Sequence, residues 1–296
     1  MSTQTVARET TRSREQVRTM DEQRKRRIAN GTAFVVLIVM ALIWLIPILW
    51  ALDTALKPEG ETTAIPVSWF ASHFTLQAFA TTLATTNLPT WYFNSILTSA
   101  IISVVTVLLA STAAFAFSRV PFSGRNILFW VILAGIMVPG QILIVPLFTM
   151  MQSLNMVDTY WGIILPQLAS PIAVFIFKQF FDGIPHELEE AAVMDGASRW
   201  RVYWQIWMPL ARPAIAAVAI FAFVFSWNNF LWPFIIISSN NLMTLPVGLA
   251  TVQTSFGIRY AQIMATALLG GVPVLIVFLF FQRQIVQGVA GTGLKG

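Results

Sequence analysis

Chemistry in this chain has few residues to draw on. Of its 296 residues 56% are hydrophobic and only 10% charged, with two histidines and no cysteine. Cysteine nucleophiles, thiolate metal sites and disulfides are excluded. His73 and His186 have no ligand or nucleophile pattern around them, so a metal site or catalytic dyad is not credible, and both read as surface histidines. In "GVAGTG" the lysine, Lys295, follows too late for a phosphate-cradling loop. Against this scarcity the stretch "HELEEAAVMDGASRW", residues 186–200, is crowded with Glu187, Glu189, Glu190 and Asp195. Carboxylates at that spacing favour the positive end of a helix.

The elements that must position these carboxylates can be read from their neighbours. Pro185 suits a first helical turn, and Gly196 can take the left-handed conformation that ends a helix, so the sequence predicts a helix from about Pro185 to Met194. A turn at Asp195 and Gly196 then leads to a second helix reaching about Trp207, closed by Pro209 and Pro213. Ala191 and Ala192 leave one stripe of the first helix free of bulk, and Glu190 places a carboxylate beside it. Taken alone, these charges also fit an ordinary solvated loop helix.

Around this insert the apolar residues run in long uninterrupted blocks rather than in amphipathic patterns, the mark of an integral membrane protein. At about 1.5 Å per residue, roughly 20 residues cross the hydrocarbon layer. Six blocks qualify: Gly31 to Leu52, Tyr92 to Phe117, Ile127 to Met151, Trp161 to Phe177, Pro213 to Ile237 and Gln262 to Val286. The first follows a basic tail but lacks a cleavage site, so it is expected to stay as a membrane helix rather than be removed as a signal peptide. Of the 18 Lys and Arg residues, all but Lys57 and Arg259 fall on the side of the N-terminus, which orients both termini to the cytoplasm. The net charge of +5 does not imply nucleic acid, because the basic residues flank the apolar blocks instead of forming a patch.

Three regions follow: a cytoplasmic basic tail over residues 1–30, expected to be disordered; a membrane domain over 31–286 that includes the charged loop 182–212; and a C-terminal tail over 287–296. The block interiors carry no acid or base at membrane depth, where proton-coupled carriers and voltage sensors need one. The long outward loop from Asp53 to Trp91 bears Trp69, Phe70, Phe74 and Phe79, suggesting an amphipathic element against the membrane surface, a partner or this subunit itself.

The charged loop carries a resemblance that can be named. Glu190-Ala191-Ala192, Asp195-Gly196-Ala197, Ile206 and Pro209-Leu210 resemble the EAA loop of permease subunits in bacterial ABC importers. The likeness extends over most of the chain: "YFNSILTSAIISVVTVLLASTAAFAFSR", "FSWNNFLWPFII" and "QRQIVQGVAGTGLKG" look like permeases of the carbohydrate-uptake branch, close to the smaller six-helix subunit of maltose-type importers.

The resemblance implies an all-α integral membrane protein of six transmembrane helices with a cytoplasmic coupling-helix loop, the type I importer permease fold, in the bacterial cytoplasmic membrane. It assigns contact with the ATPase to Glu190, Ala191, Ala192, Asp195, Gly196, Ala197, Ile206 and Pro209. It implies three kinds of protein partner: a second permease, a cytoplasmic ABC ATPase dimer that hydrolyses the ATP, and an extracytoplasmic substrate-binding protein. No catalytic residue, cofactor or metal belongs to the permease itself. Where many relatives have an acidic residue after "WN", this chain has Asn229, which puts any function tied to that charge in doubt.

Ser99, Ser103, Thr106, Ala110 and Ala114 form a small face on the second block, the signature of close helix packing rather than of a translocation lining. Asn228 and Asn229 lie deep in the fifth block and must face protein or water. Gln141, beside Pro139 and Gly140, and the trio Gly270, Gly271 and Pro273 mark places where helical hydrogen bonding can be interrupted, as kinks or as gates. Gln141, Trp227, Asn228 and Asn229 are the candidate lining of a solute pathway, amides for hydroxyls and an indole for a sugar face. Three other readings stay open: an ion-gradient-driven secondary carrier, a scaffold that anchors a cytoplasmic enzyme, and an importer permease for an amino acid, a peptide or another non-carbohydrate solute.

Overall fold

In the computed structural model the described residues are 29–66, 68–252 and 259–280, with Gln282, and helical backbone continues through 3–28, 253–255 and 281–292. Apart from Ala29 and Asn30, the tails expected over 1–30 and 287–296 lie outside the fully described residues. All regular structure among the described residues is helical. The first membrane helix is α1 (Thr3–Leu56), of which 29–56 is the long apolar part. Short helices α2 (Glu59–Thr62) and α3 (Gln77–Thr85) lead to α4 (Leu88–Arg119), the longest fully described helix. At 32 residues α4 is about 48 Å long, more than the hydrocarbon layer requires. It stops where Pro121 forces Val120 into extended backbone, φ −93° and ψ 118°.

The next two membrane segments are each bent, as is the junction that begins the fifth. Helix α5 (Arg125–Ala134), with a 3-10 turn to Met137, meets α6 (Ile144–Ser153) and its own leading 3-10 turn at 94°. The third block, expected from Ile127 to Met151, is thus interrupted beside Pro139, Gly140 and Gln141, the residues that mark a possible interruption in the sequence. Val138 lies extended before Pro139, which has no amide hydrogen to continue the ladder. Helix α7 (Tyr160–Ile164) and α8 (Pro171–Asp182) meet at 47°, with Ser170 capping α8 by accepting from the Ala173 amide. After the charged loop, made of α9 (Glu187–Met194), α10 (Arg199–Val202) and α11 (Met208–Leu210), the chain turns by 79° into α12 (Arg212–Trp227). The fifth block breaks again at Asn228–Asn229 before α13 (Leu231–Ile236), because the ring of Pro233 collides with a helical carbonyl at Asn229.

After α14 (Leu245–Ser255), the sixth membrane helix α15 (Tyr260–Thr292) behaves differently. It continues as one helix through Gly270, Gly271 and Pro273. Pro273 cannot bond the Leu269 carbonyl, but the Tyr92 hydroxyl of α4 donates to that oxygen. A neighbouring side chain thus satisfies the acceptor that proline frees.

The small face of α4 is the centre of the bundle. Ser99, Ser103, Thr106, Ala110 and Ala114 are all buried, against α12 on one side and α8 on the other. Ser99 donates to the Ser226 hydroxyl at 3.3 Å, Ser103 to the Ala219 carbonyl at 2.7 Å and Thr106 to the Leu168 carbonyl at 3.3 Å. Packing rather than lining is what these small residues do, as expected.

An aromatic cluster of Phe115, Phe117, Phe129, Phe177, Phe181, Tyr203 and Trp207 fills the end of the bundle nearest the charged loop. A second cluster, with Leu88, Trp91 and Trp227, fills the far end. There Gly248 of α14 lies against the Trp91 indole so closely that a Cβ would come within 2.2 Å of a ring carbon.

Far-end loops are held by polar side chains of α4. Asn94 donates to the Asn241 and Met243 carbonyls at 2.9 and 2.8 Å and accepts from the Tyr160 hydroxyl at 2.7 Å. Between α2 and α3, the segment carrying Trp69, Phe70 and Phe74 is irregular rather than helical, its aromatics exposed apart from an edge-to-face contact of Trp69 with Trp50 at 5.2 Å. Asp158 joins two other loops, accepting from the Ser238 and Ser239 amides at 2.9 Å each and from the Ser239 hydroxyl.

Two predictions follow from this packing. Ala114→Leu overfills a fully buried site and should cost about 1–3 kcal/mol. Val104→Leu, at an exposed position of the same helix, should stay within about 0.5 kcal/mol; thermal unfolding in detergent compares them. The Ser239 hydroxyl first, then the Ser239 and Ser238 amides, hold the Asp158 carboxyl below its ordinary value against the opposing effect of burial. A lowered folded-state value gives stabilisation that is complete at neutral pH and lost as pH falls below 3.8, the ordinary value. The stability gap between wild type and Asp158→Asn should accordingly be largest near neutral pH and close on acidification.

Candidate functional site

The charged loop folds as a two-armed elbow. Its first arm is α9, whose first turn carries Glu187, Glu189 and Glu190, which complement the helix dipole. The arm begins at Glu187, two residues later than Pro185 suggested. It ends in a tight reversal: Gly196 sits at φ +78°, its amide donates to the Val193 carbonyl, and the Ala197 amide reaches back to the Ala192 carbonyl at 2.9 Å. This pair of bonds closes the helix with a left-handed residue at the position after its end, where glycine has no Cβ to strain. Two residues on, Ser198 caps the second arm by accepting from the Arg201 amide.

The second arm covers α10, a wide turn at Tyr203–Trp207, and α11. The Met208 amide bonds to the Tyr203 carbonyl, five residues back, because Pro209 cannot bond the Gln205 carbonyl and crowds it. The widened turn drives Tyr203 and Trp207 into the aromatic cluster, where both are fully buried. Tyr203 shares a 2.7 Å hydrogen bond with Ser111 of α4, and Trp207 meets Phe181 of α8 edge to face at 5.4 Å. One arm is rooted in the bundle and the other projects from it.

The projecting arm is apolar where it is most exposed. Glu190, Val193 and Met194 share a face at helical spacing, and Met194 is 87% exposed. Ala191, Asp195, Gly196 and Pro209 are exposed too, while Ala192, Ala197 and Ile206 turn inward onto the aromatic cluster. The motif residues thus divide into an outward set and an inward set.

One residue that the sequence reading had counted only as an orienting charge joins these parts. Arg119, the last residue of α4, donates to the carbonyls of Phe181 and Ile184, the latter at 2.7 Å, and to His186 Nδ1 at 2.6 Å. Its guanidinium lies 4.1 Å from the centre of the Trp207 ring. His186, expected to stand alone, is therefore tied to Arg119 although its side chain is exposed. His73 is exposed, with Ser72 Oγ 3.0 Å from its Nδ1.

The candidate pathway residues do not form one group. Asn228 is exposed and donates to the Val224 carbonyl of its own helix at 2.9 Å. Asn229 donates to Gln167 Oε1 at 2.8 Å, and Gln167 in turn donates to the Ile163 carbonyl. The breaks in the fourth and fifth segments are thereby joined through Gln167, a residue the sequence reading passed over although Pro166 and Pro171 flank it. Gln141 is exposed at its own break, with no hydrogen bond to the asparagines among the described residues. Trp227 is 2% exposed and stacks on Phe223 at 5.8 Å, within the far-end cluster.

Comparison with known proteins places this architecture. The family of binding-protein-dependent transport system inner membrane components matches residues 106–290, well over half of the chain and all of the elbow. The chain belongs to that family. Within the family it is similar to the arabinooligosaccharides transport system permease protein AraQ of Halalkalibacterium halodurans, 38% identical over 269 residues that cover 90% of this chain and 95% of the relative. It is also similar to the diacetylchitobiose uptake system permease protein NgcG of Streptomyces coelicolor, 34% identical over 86% of this chain and 85% of that one.

The same fold occurs in the solved structure of a bacterial ABC transporter involved in the import of the acidic polysaccharide alginate. The match has a TM-score of 0.77 at 22% identity and covers 87% of this chain and 96% of the other. The chain is a multi-pass membrane permease, a transport subunit, with the fold of the ABC importer permeases.

Because Gly196 is held at positive φ with open space around it, Gly196→Ala strains only the backbone. It should cost the elbow about 1–2 kcal/mol, read as faster hydrogen exchange at the Ala197 amide with little change in the melting of the bundle.

Proposed function

We propose that this permease forms half of the translocation pathway of an ATP-driven importer for a sugar or related polyol, and that the projecting arm of the elbow couples it to a separate ATPase. The observation that carries the reading is the division of the elbow. Glu190, Ala191, Val193 and Met194 present an exposed, largely apolar face with one carboxylate on a short helix, while Tyr203 and Trp207 anchor the other arm in the bundle. An apolar face in water gains by docking, and a rooted arm passes the docked partner's displacement inward. Asp195, Gly196, Ala197, Ile206 and Pro209 hold the angle between the arms.

The same reading gives the chain its partners: a second permease to complete the pathway, a cytoplasmic ATPase dimer that closes on ATP, and a binding protein that delivers the solute on the opposite face. The membrane is the bacterial cytoplasmic membrane, with the elbow and both termini on the cytoplasmic side, where Lys and Arg concentrate. The carbohydrate assignment rests on relatives named for arabinooligosaccharides, diacetylchitobiose and lactose. Gln141, Asn228 and Asn229 lie at backbone breaks and offer amides to hydroxyls, and Trp227 backs the asparagine pair from the core.

The test uses the whole complex in proteoliposomes. The absence of cysteine makes Met194→Cys a single labelling site, expected to crosslink to the ATPase. Glu190→Lys is expected to leave the permease inserted but to abolish ligand-stimulated ATP hydrolysis. Solute accumulation by this chain without any ATPase, or full stimulation in Glu190→Lys, would overturn the proposal.

A further inference from the structure

We infer that Arg119 is the positioning residue that locks the elbow to the second membrane helix, so that the elbow and α4 move as one body. The inference rests on the coupling function proposed for the elbow and identifies the part of the bundle that receives its motion. Two pieces of chain, residues 181–186 and Trp207, converge on one guanidinium of α4. Two of its hydrogen bonds end on the Phe181 carbonyl in the last turn of α8, which also accepts from the Ile184 amide, and on the Ile184 carbonyl just past the helix. A third reaches Nδ1 of His186, the residue that opens the projecting arm. The flat face of the group rests on Trp207 of the rooted arm.

A charge needed only to cap α8 would stop at the two carbonyls. Arg119 also holds both arms of the elbow, which capping does not require. It does so without a carboxylate: the ion pairs among the described residues are Lys57–Asp53, His73–Glu61 and Lys178–Asp182. Its direct contacts therefore depend on shape, a planar fork of donors with a stacking face. Lysine keeps the charge and loses both features.

Beyond Arg119, α4 is a stiff rod. Its small face is hydrogen-bonded to α12 through Ser99 and Ser103, its Thr106 reaches the α7–α8 break, and its other end holds the far loops through Asn94. A displacement delivered at Arg119 is thereby carried along the helix to the loops at the opposite end.

Two measurements test this on the full complex. In the first, Arg119→Lys is compared with wild type for ATPase retained on the purified complex, for ligand-stimulated ATP hydrolysis and for solute uptake. Expected is normal retention with ligand stimulation reduced between about twofold and about thirtyfold, and a smaller loss in Trp207→Phe, which keeps a ring face. Unchanged stimulation in Arg119→Lys overturns the inference and leaves the ATPase-coupling function standing. Uptake lost only in proportion to lost assembly overturns it as well, since the residue would then be merely structural. A wild-type complex that retains no ATPase instead removes the coupling function itself.

The second measurement keeps Arg119. Spin labels at Met194→Cys and Leu109→Cys should hold one separation in nucleotide-free and ATP-bound complexes, and a separation that changes between the two states overturns the inference.

Discussion

Helices in a bilayer gain little by hiding apolar surface from one another, because the lipid is as apolar as they are. Close approach is what holds them, and α4 is built for it. Alanine, serine and threonine along its buried face let α8 and α12 come within reach of its hydroxyls, so dispersion and short hydrogen bonds replace the drive that water would supply. The other devices of the fold depend on that contact. The aromatic cluster closes over one end of the packed helices, the asparagine-tied loops close over the other, and the elbow is rooted between α4 and α8.

Around this axis the chain uses proline in two opposed ways. Pro139, Pro171 and Pro233 stand at breaks, and the freed or capped backbone near two of them finds side-chain partners in Ser170 and Asn229. Pro273 stands inside a helix that does not break. At Pro273 the freed carbonyl is satisfied from the next helix, by Tyr92.

That dependence marks the boundary of what sequence alone could reveal. The apolar blocks, the elbow with its glycine reversal and the packing face of α4 are local patterns of composition and period, and they were legible. The break at Asn229 was legible in principle from Pro233, four residues on. The partner of the carbonyl that Pro273 frees was not, since that hydroxyl comes from α4, nearly 180 residues earlier. Arg119 looked like one more charge at a helix end, and Trp227 like a pathway aromatic. Their surroundings, a stacked indole and two carbonyls for one and a closed core for the other, arise only from tertiary contact.

The reversal at Gly196 bears on mechanical compliance. A connection of several loose residues between the arms would act as a spring, absorbing a push before it reached the bundle. Here two backbone bonds and a single left-handed residue close the corner, and the next helix is capped at once by Ser198. So short a connection has few rotatable bonds left in which a displacement of one arm could be absorbed before it reached the other.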